Sequence, residues 1–269
     1  MPATIARSGC SMMHISEKLE RFAQKSPQEK WRSLAATLAE GIPFRRKIRR
    51  GLIGVSAFRR RWHYAQTTQK AEIIASGLGD SANLLYGLVR SMKPDVCVEI
   101  GAALGKSACY IGMALKENGS GVLYSIDPHE PTDWNDRGAV NSLEIFKNNI
   151  TTLGVADRVN IIRSYSQDAA RSWNRPIDFI FIDGDHSYEG VKRDWELFVP
   201  HVKPFGVVVF HDTIWDLPDY RDQRRATMGV PRFVDELRKQ GYQVLTIDRD
   251  CGVSLVQPMS GGNSLCPRM

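Results

Sequence analysis

Cysteine is scarce and scattered in this sequence. The five cysteines, Cys10, Cys97, Cys109, Cys251 and Cys266, are odd in number and never form a CxxC pair. That argues against a disulfide framework or a zinc knuckle and points to a reducing compartment, the cytoplasm. No uncharged apolar run approaches the roughly 18 residues a membrane helix needs, so an integral membrane protein is excluded. The N-terminus, MPATIARSGCSMMHIS, has no apolar core after Arg7 and does not read as a signal peptide. The dinucleotide pattern GxGxxG is missing. The nearest approach to a P-loop, Gly101 to Gly105-Lys106-Ser107, is one residue short of the required spacing. No internal repeat is present.

What remains is an ordinary globular composition, 269 residues of which 42% are hydrophobic and 25% charged. That suits one large domain, or one domain with an appendage, and excludes a mainly disordered chain. Charge is unevenly distributed: residues 1–75 hold 15 Lys/Arg against 5 Asp/Glu, and the remainder 21 against 25. The N-terminal quarter is helical in pattern. Ser26-Pro27-Gln28-Glu29 forms a capping box, Trp31, Leu34, Ala35 and Leu38 recur on one face, and Gly41-Ile42-Pro43 ends the helix. No acid occurs between Glu40 and Glu72, a stretch in which Arg45, Arg46, Lys47, Arg49, Arg50 and Arg59–Arg61 alternate with apolar residues. Such a run could meet anionic lipid, a glycan or nucleic acid, or form a solvated or dimer-packing face.

A helix is expected from about Asp80 to Met92, ended by Pro94. Beyond it, short apolar strands alternate with helices. The strands are Asp95–Ile100, Val122–Asp127, Val159–Ser164, Ile177–Asp183 and Val207–Asp212, and the helices are Lys106–Glu117, Val140–Leu153, Gln167–Trp173 and Tyr188–Val199. A last helix, Val230–Gln240, precedes Tyr242–Asp248 and Gly252–Gln257, whose short Arg249-Asp250-Cys251 gap permits only an antiparallel hairpin. The expected fold is α/β: a doubly wound, Rossmann-like seven-stranded sheet of five parallel strands and a C-terminal hairpin. The basic, mainly helical extension would occupy residues 1–79, the sheet domain 80–258, and a fraying tail 259–269.

In such a sheet ligands bind at the carboxyl ends of the strands. There the first strand gives Glu99-Ile100-Gly101-Ala102-Ala103-Leu104-Gly105-Lys106-Ser107. Gly101 would let a ligand approach the backbone, and Gly105 would let the next helix start close to the strand. Asp127 ends the second strand, where a carboxylate can accept two ribose hydroxyls. The fourth strand ends Asp183-Gly184-Asp185-His186-Ser187-Tyr188 and the fifth Phe210-His211-Asp212-Thr213. If these strands are neighbours, Asp183, Asp185, His186, His211 and Asp212 converge, a set suited to Mg²⁺ or Mn²⁺ or to a hydrogen-bond network. His129 reads as a loop histidine, Trp195 and Phe198 as core, and Pro131–Gly138 with Trp134 as a lid.

These motifs together, with Gly229-Val230-Pro231-Arg232-Phe233, resemble the class I S-adenosylmethionine-dependent methyltransferases over about Asp80–Pro258. Within them the sequence is most similar to the small O-methyltransferase family that includes macrocin-type sugar O-methyltransferases and cephalosporin hydroxylase-like proteins. The resemblance implies that Glu99, Gly101, Gly105 and Ser107 hold the methionine end of S-adenosylmethionine and that Asp127 binds the ribose. It also implies that Ser166 and Gln167, with Asp183, complete the cofactor site. Asp183, His211 and Asp212 would bind a divalent ion, Mg²⁺ or Mn²⁺, and Asp185 or His186 would take the acceptor's proton. The implied reaction is O-methylation of a sugar, glycan or other small molecule by a cytoplasmic, peripherally membrane-associated or homo-oligomeric protein. Two alternatives stand beside it: a nucleic-acid methyltransferase using Arg45–Arg61, and a non-catalytic binding module on the same fold.

Overall fold

The computed structural model describes residues 76–131, 141–214 and 228–258, with positions 65, 68–71 and 74 before them. All fall in the second of two compact units of the chain, residues 64–269. The capping box Ser26–Glu29, the basic run Arg45–Arg61, Trp134 with most of its expected lid, and the tail Met259–Met269 lie outside the described residues.

Seven strands form one sheet: β1 (Val96–Ile100), β2 (Val122–Ile126), β3 (Val159–Ile162), β4 (Ile177–Ile182), β5 (Val202–His211), β6 (Gln243–Ile247) and β7 (Val253–Gln257). Their order is β3-β2-β1-β4-β5-β7-β6. The first five run parallel, and β7 is antiparallel to both β5 and β6. The described helices are α1 (Ser81–Met92), α2 (Lys106–Asn118), α3 (Ser142–Thr152), α4 (Ser166–Arg171), α5 (Tyr188–Phe198) and α6 (Val230–Lys239). None is long and apolar enough to cross a membrane.

The period-2 alternation of strand side chains explains why the strands read as unbroken apolar runs. Cys97, Phe179, Phe181 and Val209 point into one core, with Leu85 and Val89 of α1, Ile111 of α2 and Phe146 of α3. Val98, Ile180, Ile182 and Phe210 point into the other, against Val191, Trp195 and Phe198 of α5 and Phe233 and Leu237 of α6. Both faces are therefore buried. Ala71, Ile74 and Leu78 also pack into the first core, ahead of the expected domain start at residue 80.

Element boundaries agree with the sequence expectations to within a residue or two, except at β5. It begins at Val202 rather than Val207, and Lys203-Pro204-Phe205-Gly206, which reads as a turn, runs into the strand. The β4–β5 register shifts between Ile177 and Phe179, and Phe205 takes a left-handed φ of 69°. An irregularity of this kind absorbs a proline at a strand's start.

Strand order reverses between β1 and β4, so a crevice opens above their carboxyl ends. Every expected site residue belongs to the strand ends, loops or helix starts around it.

Candidate active site

The loop after β1 is held from three sides. The Asp127 carboxylate, at the end of β2, accepts from the backbone N–H of Ala102 (2.8 Å) and Ala103 (2.9 Å) through Oδ2, and from His129 N–H (2.6 Å) through Oδ1. Asp127 thus shapes the loop. Gly101 has a φ of 87°, and a Cβ there would lie 2.2 Å from the Asp183 carbonyl oxygen. Its missing side chain therefore serves the contact between the ends of β1 and β4, a reason different from the expected approach of a ligand. Gly105, with φ 89°, caps α2, and a Cβ there would meet the Phe146 ring at 2.8 Å.

Glu99 and Ser107, expected to hold a ligand directly, lie beneath this loop. Glu99 is 0% exposed. Its carboxylate accepts from the Ser107 hydroxyl and, at 2.6 Å, from the Ser125 hydroxyl. Burial pushes its carboxyl up to about 7, with the two serine hydrogen bonds opposing. Ser125 was legible only as a polar residue inside the apolar run VLYSI.

Beside β3, the Ser164 backbone N–H donates to the Asp127 carbonyl at 3.2 Å, joining the two strand ends. Ser166 opens α4 and its hydroxyl donates to Asp194 of α5, while Gln167 is exposed. Asp194 is 1% exposed, and burial pushes its carboxyl up to about 6. Sequence reading missed it. The available signal was an acid on the apolar face of α5, in step with Val191, Trp195 and Phe198. His129 also departs from expectation: its side chain is 1% exposed, with Nδ1 3.2 Å from Ser142 Oγ and its ring edge-on to Phe146. Burial pulls its imidazole down, against the pull of Asp127.

The ends of β4 and β5 bring two carboxylates and two imidazoles into a closed ring. His211 Nδ1 lies 3.2 Å from Asp183 Oδ1 and 3.3 Å from Asp212 Oδ1. His186 Nε2 lies 3.3 Å from Asp183 Oδ1, and its Nδ1 3.3 Å from Asp212 Oδ2. Asp212 reaches this position with a left-handed φ of 57°. Burial lowers the proton affinity of both imidazoles, but Asp183 and Asp212 outweigh it, and both are raised, His211 strongly. Burial works the other way on Asp183, where the two imidazoles prevail and hold the carboxyl well below the usual carboxylate range.

Asp185 stands outside the ring. Its carboxylate caps the Ser187 N–H at 3.0 Å, pairs with Arg193 at 3.3 Å, and lies where a side chain on Gly190 would have been. Of the two expected proton acceptors, only His186 is brought to the cluster. The three residues expected to hold an ion, Asp183, His211 and Asp212, all lie in the ring, together with His186. One donor atom from each of Asp183, His186 and Asp212 lies within 4.8 Å of the other two.

Two clamps fix the ring. Gly229, before α6, donates its N–H to the His186 carbonyl at 2.7 Å. After Asp212, the Thr213 and Ile214 N–H groups donate to the Gly252 and Cys251 carbonyls of the β6–β7 hairpin, at 3.2 and 2.8 Å.

Residues 98–213, from β1 to the turn after β5, match a family described as a methyltransferase domain. An uncharacterized protein of Acanthamoeba polyphaga mimivirus is 33% identical over 89 residues, 31% of this chain and 38% of the relative. The chain thus spans less than half the length of the curated relatives it matches. Among solved structures, it resembles an O-methyltransferase from Bacillus cereus in complex with SAH, with a TM-score of 0.53 and 17% identity over 73% of this chain and 90% of that one. It also resembles the O-methyltransferase TomG of Streptomyces achromogenes, involved in tomaymycin synthesis and solved with SAM (TM-score 0.52, 19% identity, 74% and 90% coverage). The glycine loop, the Asp127 strand end and the seven-stranded order stand in one domain, and its residues 98–213 are similar to a methyltransferase domain on the fold that these O-methyltransferases share.

Proposed function

We propose that the protein transfers a methyl group from S-adenosylmethionine to a hydroxyl of a sugar, glycan or other small molecule. The observation that carries this reading is the Asp183–His186–His211–Asp212 ring, set at the strand ends beside the glycine loop. S-adenosylmethionine would supply an electrophilic methyl on a sulfonium centre. The chain's task is to hold an acceptor oxygen in line with that methyl, and positioning alone can provide much of the rate.

A hydroxyl must also lose a proton. His186, the more open of the two imidazoles at 16% exposure against 4% for His211, is the residue to accept it. Asp212 orients its ring through Nδ1, so that Nε2 takes the proton, and Asp183, 3.3 Å from Nε2, stabilises the imidazolium that results. The donor chemistry also fits a divalent ion. Two carboxylates that are 20% and 5% exposed need positive charge nearby, and oxygen donors with one imidazole suit Mg²⁺ or Mn²⁺. Asp183, Asp212 and His211 Nδ1 would hold such an ion, which would supply Lewis acidity to the acceptor hydroxyl. The basic run Arg45–Arg61 would bring the protein to anionic lipid or glycan.

The test is transfer from methyl-labelled S-adenosylmethionine to a panel of sugars, sugar conjugates, phenols, DNA and RNA, with and without Mg²⁺ or Mn²⁺. Label on a hydroxyl of a small acceptor supports the reading. Label only on nucleic acid, or none from a protein that binds the cofactor, contradicts it.

A further inference from the structure

His129 is a buried titratable group to which the proposed transfer assigns no task. Its side chain is 1% exposed, and its backbone stands in the left-handed region at a φ of 52°. The ring joins two elements. Nδ1 lies 3.2 Å from the Ser142 hydroxyl at the start of α3 and 3.8 Å from Asp127 Oδ1. Nε2 is buried and has no hydrogen-bond partner among the described residues. The ring stands edge-on to Phe146, which fills the space beside Gly105. The His129 N–H donates to Asp127 Oδ1 at 2.6 Å, while Oδ2 of the same carboxylate holds the Ala102 and Ala103 N–H groups of the glycine loop.

These contacts place the ring's hydrogen. On Nε2 it would be a buried donor without an acceptor, whereas on Nδ1 it meets the Ser142 oxygen and the Asp127 charge. The charges that face the ring are Asp127, Arg163 after β3 and Lys147 of α3. Burial lowers the proton affinity of the imidazole, Arg163 and Lys147 add to that, and Asp127 opposes without prevailing. A second proton has to go to Nε2, where nothing accepts from it, so the charged ring leaves its place. A histidine keeps a left-handed backbone only where its surroundings impose it. Once the ring leaves, the N–H leaves Asp127 as well. We propose that His129 is a positioning residue of the glycine loop, whose neutral imidazole keeps its own N–H on Asp127 and whose protonation weakens cofactor binding. This rests on the reading of the crevice as the S-adenosylmethionine site.

The experiment titrates S-adenosylhomocysteine into wild type, His129→Asn and His129→Ala by calorimetry, at pH 7.5 and at pH 5. Asparagine tolerates the left-handed backbone, and its amide can donate to Ser142, but it does not titrate. At pH 7.5 His129→Asn should bind within about 3-fold of wild type, and His129→Ala, which keeps neither property, at least about 10-fold more weakly. On going to pH 5 the wild type should lose at least about 3-fold more affinity than His129→Asn, because groups elsewhere titrate alike in both. If His129→Ala does not fold, the pH comparison with His129→Asn remains the test. Parallel losses in those two proteins would overturn the proposal and leave the methyltransferase reading intact. So would a His129→Asn no tighter than His129→Ala, or a His129→Ala as tight as wild type at pH 7.5. No binding to folded wild-type protein would overturn both.

Discussion

The Gly229 N–H and the His186 carbonyl are joined by a 2.7 Å hydrogen bond, which ties the start of α6 to the residue proposed to take the acceptor's proton. The contact depends on glycine for space rather than for backbone freedom, since its φ of −107° suits any residue. A Cβ there would stand 2.0 Å from Tyr188 N and 2.3 Å from Tyr188 Cα, both backbone atoms that cannot swing away. Gly229→Ala should therefore cost about 1–3 kcal/mol by overpacking, lowering Tm by roughly 3–10 °C in a domain of this size. It should also reduce the transfer rate while leaving cofactor affinity within about 3-fold, since the Asp127 side of the crevice is untouched. Thermal unfolding and a cofactor titration on the same variant check the three outcomes together.

His186 and Asp185, two adjacent candidates, should separate in a kinetic comparison. His186→Ala removes the imidazole between Asp183 and Asp212 and should lower kcat by about 10²–10⁴-fold, the usual range for a lost general base. Asp185→Asn keeps the cap on Ser187 and should change kcat by less than about 10-fold. A larger loss from Asp185→Asn than from His186→Ala would reverse the assignment.

Glu99 should impose a pH dependence on stability. Its folded pKa, about 7, is raised above the ordinary 4.5 by burial, so between these values the folded state binds more protons than the unfolded chain. Stability from this group is then intact below about pH 4.5, declines as pH rises, and is lower by about 3 kcal/mol once pH has passed 7. Glu99→Gln should flatten that slope, as read from denaturant unfolding between pH 4.5 and 8 for both proteins. Equal slopes would show that Glu99 carries no such penalty.

The β6–β7 hairpin should couple to the start of α1. Asp250 Oδ2 accepts from the Ser81 N–H at 2.9 Å and the Ser81 hydroxyl at 3.1 Å, capping the helix from 169 residues away in sequence. Asp250→Ala should cost about 1 kcal/mol, the usual value of a lost cap. In a double-mutant cycle with Ser81→Ala the two losses should fall short of additive by at least ~0.5 kcal/mol. Strict additivity would mean that the two residues do not interact in solution.

Much of this architecture was legible because its determinants are local. Apolar runs such as FIFI and VVVF mark strands buried on both faces, and the three-residue gap Arg249–Cys251 forces a hairpin. The convergence of Asp183, His186, His211 and Asp212 followed from placing β4 beside β5. What sequence could not supply is direction. Asp185 and His186 are consecutive, yet one turns toward Arg193 and the other toward Asp212. The close contact that requires glycine at position 101 was not legible, because the Asp183 carbonyl that excludes a side chain there is 82 residues away. His129 looked like any loop residue, and only the tertiary packing of Phe146 and Ser142 buries it. Lys203–Gly206 has the proline and glycine of a turn, yet it lies within β5, between the residues that pair with Ile177 and Phe179 of β4.

The most direct measurement is a calorimetric titration with S-adenosylmethionine on wild type and Asp127→Ala. Asp127, expected to accept from the ribose, also anchors the Ala102 and Ala103 N–H groups of the glycine loop. Each hydrogen bond to a charged group is worth about 1.5–3 kcal/mol. Micromolar binding by the wild type and a loss of at least about 100-fold in the variant is the predicted result. No binding by folded wild-type protein, or equal affinity in Asp127→Ala, would contradict the assignment of the crevice as the cofactor site.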